Sequence, residues 1–292
     1  MDYTKVEEIK DSIIIRDIKN FDLTHIFECG QCFRWKRIAS DNYIGVAYNK
    51  VIELEKKGQD LTIYNSNLRD FNLIWKSYFD LDREYNSIKD SLSEDQLLKK
   101  AVEFGHGIRI LTQEPFELII SFIISSNNRI PMIKKVIDNI CTRFGERLQY
   151  KGEIYYGFPS IDKLHLVTLE ELKACSAGFR AKYIYETCKA IYENKSSIDS
   201  ILGLTDDACH VELQKLSGIG PKVADCIMLF SMSKYSAFPV DVWVKRAMQN
   251  FYLAPEVSLK GIRIYGRDKF GALAGFAQQY LFYYTRENNI KV

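Results

Sequence analysis

Residues 216–241, LSGIGPKVADCIMLFSMSKYSAFPVD, constrain this chain more than any other stretch. They open on Leu216-Ser217-Gly218-Ile219-Gly220, where Gly218 and Gly220 allow positive φ and remove side chains that would block a close approach. Pro221 suits a first helical position, where a missing N–H costs nothing. Residues 205–215 also read as helix, with Thr205 as cap and Asp206 and Asp207 in the first turn. Helix, tight turn and helix follow one another, and the free N–H groups at the second helix start suit a phosphate. Taken alone, the turn is equally a plain junction between two packed helices.

Lys222 and Asp241 sharpen this. Lys222 falls in the first turn of the second helix, where the helix end disfavours a cation. An amine there can have its pKa pushed below the usual value of about 10.4 and become a nucleophile. An exposed lysine meeting phosphate or water is the simpler alternative. Phe238-Pro239-Val240 reads as extended, because proline disfavours helix at the residue before it. Asp241 then reads as the N-cap of a helix starting at Val242.

These residues resemble the helix-hairpin-helix DNA glycosylases with a Gly/Pro…Asp loop, through LSGIG, Lys222, VADCI at 223–227 and FPVD at 238–241. Within that superfamily the chain is similar to the 8-oxoguanine DNA glycosylases. SSNN at 125–128, AGFR at 177–180, GQCFRW at 30–35 and GFAQQYLF at 275–282 carry that likeness, so it covers most of the chain. The resemblance implies a bifunctional glycosylase/AP lyase of base excision repair. Its partner would be duplex DNA containing 8-oxoguanine, from which the base is flipped out before it is excised.

The resemblance also implies roles. Lys222 attacks the sugar C1′, a Schiff base forms, and β-elimination cuts the strand on the 3′ side. Asp241 stabilises the charge growing on the sugar. The Gly30 carbonyl accepts from the N7–H that guanine lacks, Gln278 reads the Watson–Crick edge, and Phe282 and Cys226 cover the two faces of the base. Independently, Gln278 and Phe282 stand four apart and share one helix face. Asn127 enters the duplex, Phe179 wedges between bases where the family usually has tyrosine, and Arg180 faces the orphaned base; Gly218 and Gly220 approach the backbone. Two residues depart from the family. Met132 stands where an arginine usually helps recognise cytosine, and methionine donates no hydrogen bond, so weaker opposite-base discrimination is expected. Trp243 stands where histidine is frequent, with Lys245 and Arg246 able to replace its phosphate contact. No cofactor is required by this chemistry. A structural cation at the hairpin would be held by backbone carbonyls, with no side-chain metal ligand.

The fold class expected is α+β. An N-terminal domain at 1–113 would hold an antiparallel sheet with helices, since 12–66 alternates like short strands with tight turns. An all-α glycosylase region at 114–292 would follow, with the helix-hairpin-helix at about 205–234. Strands are expected at 12–18, 32–38, 43–48, 51–55 and 61–64, and a last helix over 268–287. The net charge of +2 does not by itself announce nucleic acid. Seven cysteines, an odd number, without a signal peptide point to a reducing cytoplasm, with nucleoid association while scanning DNA. Cys29 and Cys32 have zinc-half-site spacing but no second pair, and no cysteine follows Cys226, so a C-terminal iron–sulfur cluster is not expected. The apolar run at 118–124 is too short for a bilayer. A monomer is the family's default. The competing readings are an alkylated-base glycosylase, which would keep Asp241 without needing Lys222, and a non-catalytic DNA clamp.

Overall fold

The computed structural model describes residues 1–193, 198–253 and 256–290. An antiparallel sheet of six strands comes first: β1 (Lys5–Ile9), β2 (Ser12–Arg16), β3 (Trp35–Ala39), β4 (Asn42–Ala47), β5 (Lys50–Lys57) and β6 (Asp60–Tyr64). Their order in the sheet is β1-β2-β6-β5-β4-β3. Alternation drives one face inward: Ile13, Ile15, Leu54, Leu61 and Ile63 are fully buried and pack on Trp75 and Phe79. Burying each such side chain contributes about 1.5–3 kcal/mol. Phe27 stacks on Trp35 at 4.1 Å, and the Trp35 indole N–H donates to Tyr78 Oη at 2.8 Å.

The α+β class holds, with three local differences. β1 was not expected from the sequence. It is a sheet edge of mostly charged, exposed residues, a composition that blunts edge pairing and hides the alternation. The third strand begins at Trp35 rather than at residue 32, because residues 28–34 form an irregular loop. The region expected to be all-α carries one two-stranded hairpin, Arg147–Tyr150 with Glu153–Tyr156. That hairpin covers an apolar patch of Ile44, Val46 and Val51 on the outer face of the sheet. Lys151 at its turn pairs with the buried Glu53 at 2.7 Å.

The second core belongs to the helices. The apolar helix Pro115–Ser125 lies at its centre and packs against Pro221–Ser231. Tyr85–Leu92 and Gln96–Phe104 pack into the same core. The expected 268–287 helix is two: Leu259–Phe270 ends at Gly271, and Ala274–Glu287 follows a single 3₁₀ turn. Buried Arg109 ties the two cores together. Its guanidinium pairs with buried Asp2, donates to the carbonyls of Asn20 at 3.1 Å and Asp80 at 2.6 Å, and lies 4.3 Å over the Tyr85 ring. Among the described residues no helix is long and apolar enough to cross a membrane.

Candidate active site

The hairpin is as tight as its sequence implied, with one correction. Gly218 has φ +81°, and a Cβ there would lie 2.7 Å from Cβ of Tyr183. Gly220 has φ −93° and needs no left-handed conformation. A Cβ there would meet open space, so Gly220 keeps the surface before the helix bare rather than shaping the turn. Thr205 is the N-cap of Asp206–Leu213 by position only, since its side chain makes no capping bond. The Ser217 carbonyl accepts from Thr187 Oγ1 at 2.8 Å, and the Leu216 carbonyl from Ile219 N–H at 3.2 Å. Backbone carbonyls are the hard oxygen donors that suit an alkali or alkaline-earth cation; nothing in the chemistry below passes through one.

Pro221–Ser231 carries Lys222 in its first turn and Cys226 one turn on. The helix is fixed from behind by Asp225, fully buried and paired twice with Arg263 at 2.6 and 2.8 Å. His210 Nε2 lies 3.2 Å from the Pro221 carbonyl. Lys222 is half-buried, its Nζ 5.3 Å from the centre of the Phe122 ring. Burial pushes the Cys226 thiol up to about 11, with Lys222 pulling the other way.

Asp241 caps Val242–Phe251, its Oδ1 accepting from the N–H groups of Trp243 at 3.0 Å and Val244 at 2.8 Å. Burial raises its carboxyl above the ordinary carboxylate range. The two amides, Lys222 and Arg286 act against that.

These residues meet in one narrow cleft of about 70 Å³, lined by Gly30, Phe122, Lys222, Cys226, Phe230, Pro239, Asp241, Gln278, Gln279 and Phe282. All six residues expected at the sugar and the base are therefore brought together. Gln278 is buried, and its Oε1 has no partner among the described residues. Gly30 has φ +82°, and a Cβ there would lie 2.9 Å from the Phe282 ring and 3.2 Å from Arg286 Nη1. Cys29 and Cys32 are buried free thiols, both pushed up by burial, Cys29 to about 11. They are inert packing groups on either side of the Gly30 loop.

The residues expected at the duplex form a separate exposed set. Asn127 is exposed in a left-handed conformation at φ +50°, which asparagine tolerates better than most residues. Phe179 is 57 % exposed, and Met132 is 44 % exposed in the first turn of Ile130–Phe144. Arg180 is buried and donates to the carbonyls of Ser126 at 2.8 Å and Asn127 at 2.7 Å. In this structure it holds the Asn127 turn. Trp243 is half-buried under the Arg246 guanidinium at 4.8 Å, and Lys245 is exposed.

Several residues at or beside the cleft were not singled out from the sequence, including Phe230 in its lining and Arg286 next to Gly30. Phe122 lies in an apolar run and looks like plain core. Gln279 is hidden beside Gln278. Arg286 continues the stripe of Gln278 and Phe282 at the same four-residue spacing, the one signal that would have found it.

Comparison with known proteins places the chain in a family. Residues 13–119 match the family model described as 8-oxoguanine DNA glycosylase, N-terminal domain, and residues 120–263 match that of the HhH-GPD superfamily base excision DNA repair protein. The chain is 31% identical over 232 residues to a probable N-glycosylase/DNA lyase of Methanothermobacter thermautotrophicus, covering 73% of this chain and 72% of that protein. It is 31% identical over 278 residues to the N-glycosylase/DNA lyase OGG1 of Arabidopsis thaliana, covering 88% of this chain and 75% of that protein. The crystal structure of Clostridium acetobutylicum 8-oxoguanine glycosylase/lyase, in complex with double-stranded DNA containing cytosine opposite 8-oxoG, superposes with a TM-score of 0.98 at 60% identity, covering 99% of this chain and 100% of that one. By domain content, sequence and fold, the chain belongs to the 8-oxoguanine DNA glycosylase family of the HhH-GPD superfamily.

Proposed function

We propose that this protein excises 8-oxoguanine from duplex DNA and then cuts the strand, through a covalent lysine intermediate. The observation that carries this is the single cleft in which Lys222 and Asp241 adjoin Gly30, Gln278, Phe282 and Cys226. A nucleophile, a buried carboxylate and a planar slot are the parts that base excision needs.

Neutral Lys222 Nζ attacks C1′ of the flipped nucleotide. The C1′–N9 bond breaks, and its electron pair leaves with the base, which takes up a proton. Asp241 stabilises the positive charge that develops on the sugar. The C1′–O4′ bond of the resulting aminal then opens to a protonated imine, and O4′ takes a proton. Loss of a C2′ proton expels the 3′ phosphate, which cuts the strand, and water later releases the lysine.

Selectivity follows from donors and acceptors. The Gly30 carbonyl accepts from the N7–H of the lesion, whereas guanine presents a lone pair there. Gln278 Oε1, buried without a partner, is a ready acceptor for the Watson–Crick edge. Phe282 and Cys226 cover the two faces. The Phe282 ring lies beside Gly30, where a Cβ on that residue would come within 2.9 Å of it, so only glycine leaves room there. Asn127 and Phe179 fill the space left in the duplex.

Borohydride trapping on duplexes with 8-oxoguanine opposite C, A, G or T tests this proposal. A trapped protein–DNA adduct that depends on the lesion is expected; absence of an adduct on all four overturns it. Met132 makes a second prediction. No guanidinium stands at that position, so trapping should differ little among the four opposite bases. Met132→Arg should favour cytosine by about tenfold, the worth of one good base-edge contact. Equal trapping by this variant on all four duplexes would show that position 132 does not set opposite-base choice.

A further inference from the structure

Four successive peptide carbonyls run through the loop that presents Gly30. That of Glu28 accepts from Arg286 Nη2. That of Cys29 accepts from Gln279 Nε2 at 2.7 Å. That of Gln31 accepts from Gln113 Nε2 at 2.8 Å. Among the described residues no hydrogen bond ends on the carbonyl between them, that of Gly30. Gln279, Gln113 and Gln31 are all buried. The Gln31 side chain is itself held at both ends, donating to the carbonyls of Ile26 at 2.9 Å and Arg109 at 2.8 Å and accepting from Leu111 N–H at 2.9 Å.

From this pattern we infer that Arg286, Gln279 and Gln113 are positioning residues that lock the Gly30–Gln31 peptide with its carbonyl toward the base. The inference rests on the 8-oxoguanine reading above. Its physical core is the peptide flip. A glycine at φ +82° can rotate its following peptide plane with little steric penalty. Turned over, that plane would offer the Gln31 N–H to the slot in place of the Gly30 carbonyl. A donor there would welcome the N7 lone pair of guanine and repel the N7–H of the lesion. Selectivity therefore depends on which way one peptide points. A peptide plane turns over by opposed rotations about the two bonds that flank it, and pinning the carbonyls on either side fixes the ends between which this plane is held. The pins come from Ala274–Glu287 and from the segment before Pro115, so the base-reading loop, the stacking ring and Gln278 are tied to one support.

Two variants test this: Gln279→Met keeps length and removes one donor to the loop, and Arg286→Met removes another with a shorter side chain. Three quantities are measured for each and for the wild type. They are single-turnover excision of 8-oxoguanine opposite cytosine, the affinity ratio between 8-oxoguanine and guanine duplexes, and cleavage at a preformed abasic site. The abasic site presents no base to Gly30. Excision and affinity ratio should both fall about tenfold, the cost of one mispaired buried group. Abasic-site cleavage should fall by less than excision does in both variants, and Arg286→Lys, which restores a donor, should recover part of the ratio. Unchanged ratios in both variants of a selective wild type overturn this inference alone. Equal losses of excision and abasic cleavage also overturn it, as general loosening of the fold. A wild type that cuts abasic sites but does not distinguish 8-oxoguanine from guanine overturns the substrate reading, and this inference with it.

Discussion

Lys222→Gln is expected to lose borohydride trapping completely and strand cutting by about 10⁴-fold or more, the scale on which removal of a covalent nucleophile is felt. Glutamine is nearly as long as lysine but has no nucleophilic nitrogen, so no imine forms. The fold should survive. Lys222 is half-buried at the mouth of the cleft, and the contact it gives up is the Phe122 ring at 5.3 Å. Such a contact is worth about 0.5–1 kcal/mol. Affinity for the lesion duplex should persist, because Gly30, Gln278 and Phe282 are untouched. The variant is therefore checked by trapping, by strand cutting on a gel and by DNA binding together. Strand cutting at the wild-type rate would sink the covalent mechanism. Slow base release without cutting would instead point to a water molecule activated at Asp241.

Asp241→Asn should move activity and stability in opposite directions. Excision should slow by about 10²–10³-fold, the usual effect of removing a group aimed at developing charge. Stability at neutral pH should rise. Burial raises the Asp241 carboxyl above its ordinary range, so in the window between the unfolded and folded values the native state binds more protons. Stability then falls as pH climbs through that window, and the folded protein carries the full penalty above it. Asparagine removes the buried charge and keeps a side-chain oxygen for the Trp243 and Val244 amides, since it caps helices as well as aspartate does. The melting temperature of the variant should exceed that of the wild type at neutral pH. The gap should close as pH is lowered through the native pKa of Asp241. A variant less stable than the wild type at neutral pH would mean that the negative charge at the helix start outweighs its desolvation.

The opposition has a common source. A carboxylate stabilises a sugar cation strongly only where water is scarce, and there it is costly to hold in the resting enzyme. The same tension surrounds Gln278, whose buried Oε1 has no partner among the described residues. Asp225 shows the other solution: a carboxylate buried more deeply than Asp241, but matched by two hydrogen bonds from Arg263 at 2.6 and 2.8 Å, which hold the helix.

Much of this was legible along the chain because it is local. A glycine turn before Pro221, a lysine in a helix's first turn, a proline before a capping aspartate and a Gln–Phe pair at helical spacing are short-range patterns, and each turned up where its spacing implied. Four strands of the main sheet followed from alternation, and a fifth with its start shifted to Trp35. β1 escaped because an edge strand loaded with charge shows no alternation, and the 147–156 hairpin because the apolar face it covers lies on β4 and β5, about a hundred residues earlier. The hydrogen bonds of Arg180 escaped for a related reason: which carbonyls an arginine meets depends on which ones the neighbouring turn leaves open.

The sequence by itself determined the proposed reactive pair, Lys222 and Asp241, and the face of the last helix that carries Gln278 and Phe282. Only the tertiary structure decided that this face meets Gly30, through a hydrogen bond between residues 250 positions apart, and that Arg286, Gln279 and Gln113 close around the loop. Periodicity is set by covalent geometry and reads within a few turns. The Gly30 carbonyl, to which no hydrogen bond runs among the described residues, depends for its direction on the packing of two cores and on which of its neighbours are already bonded.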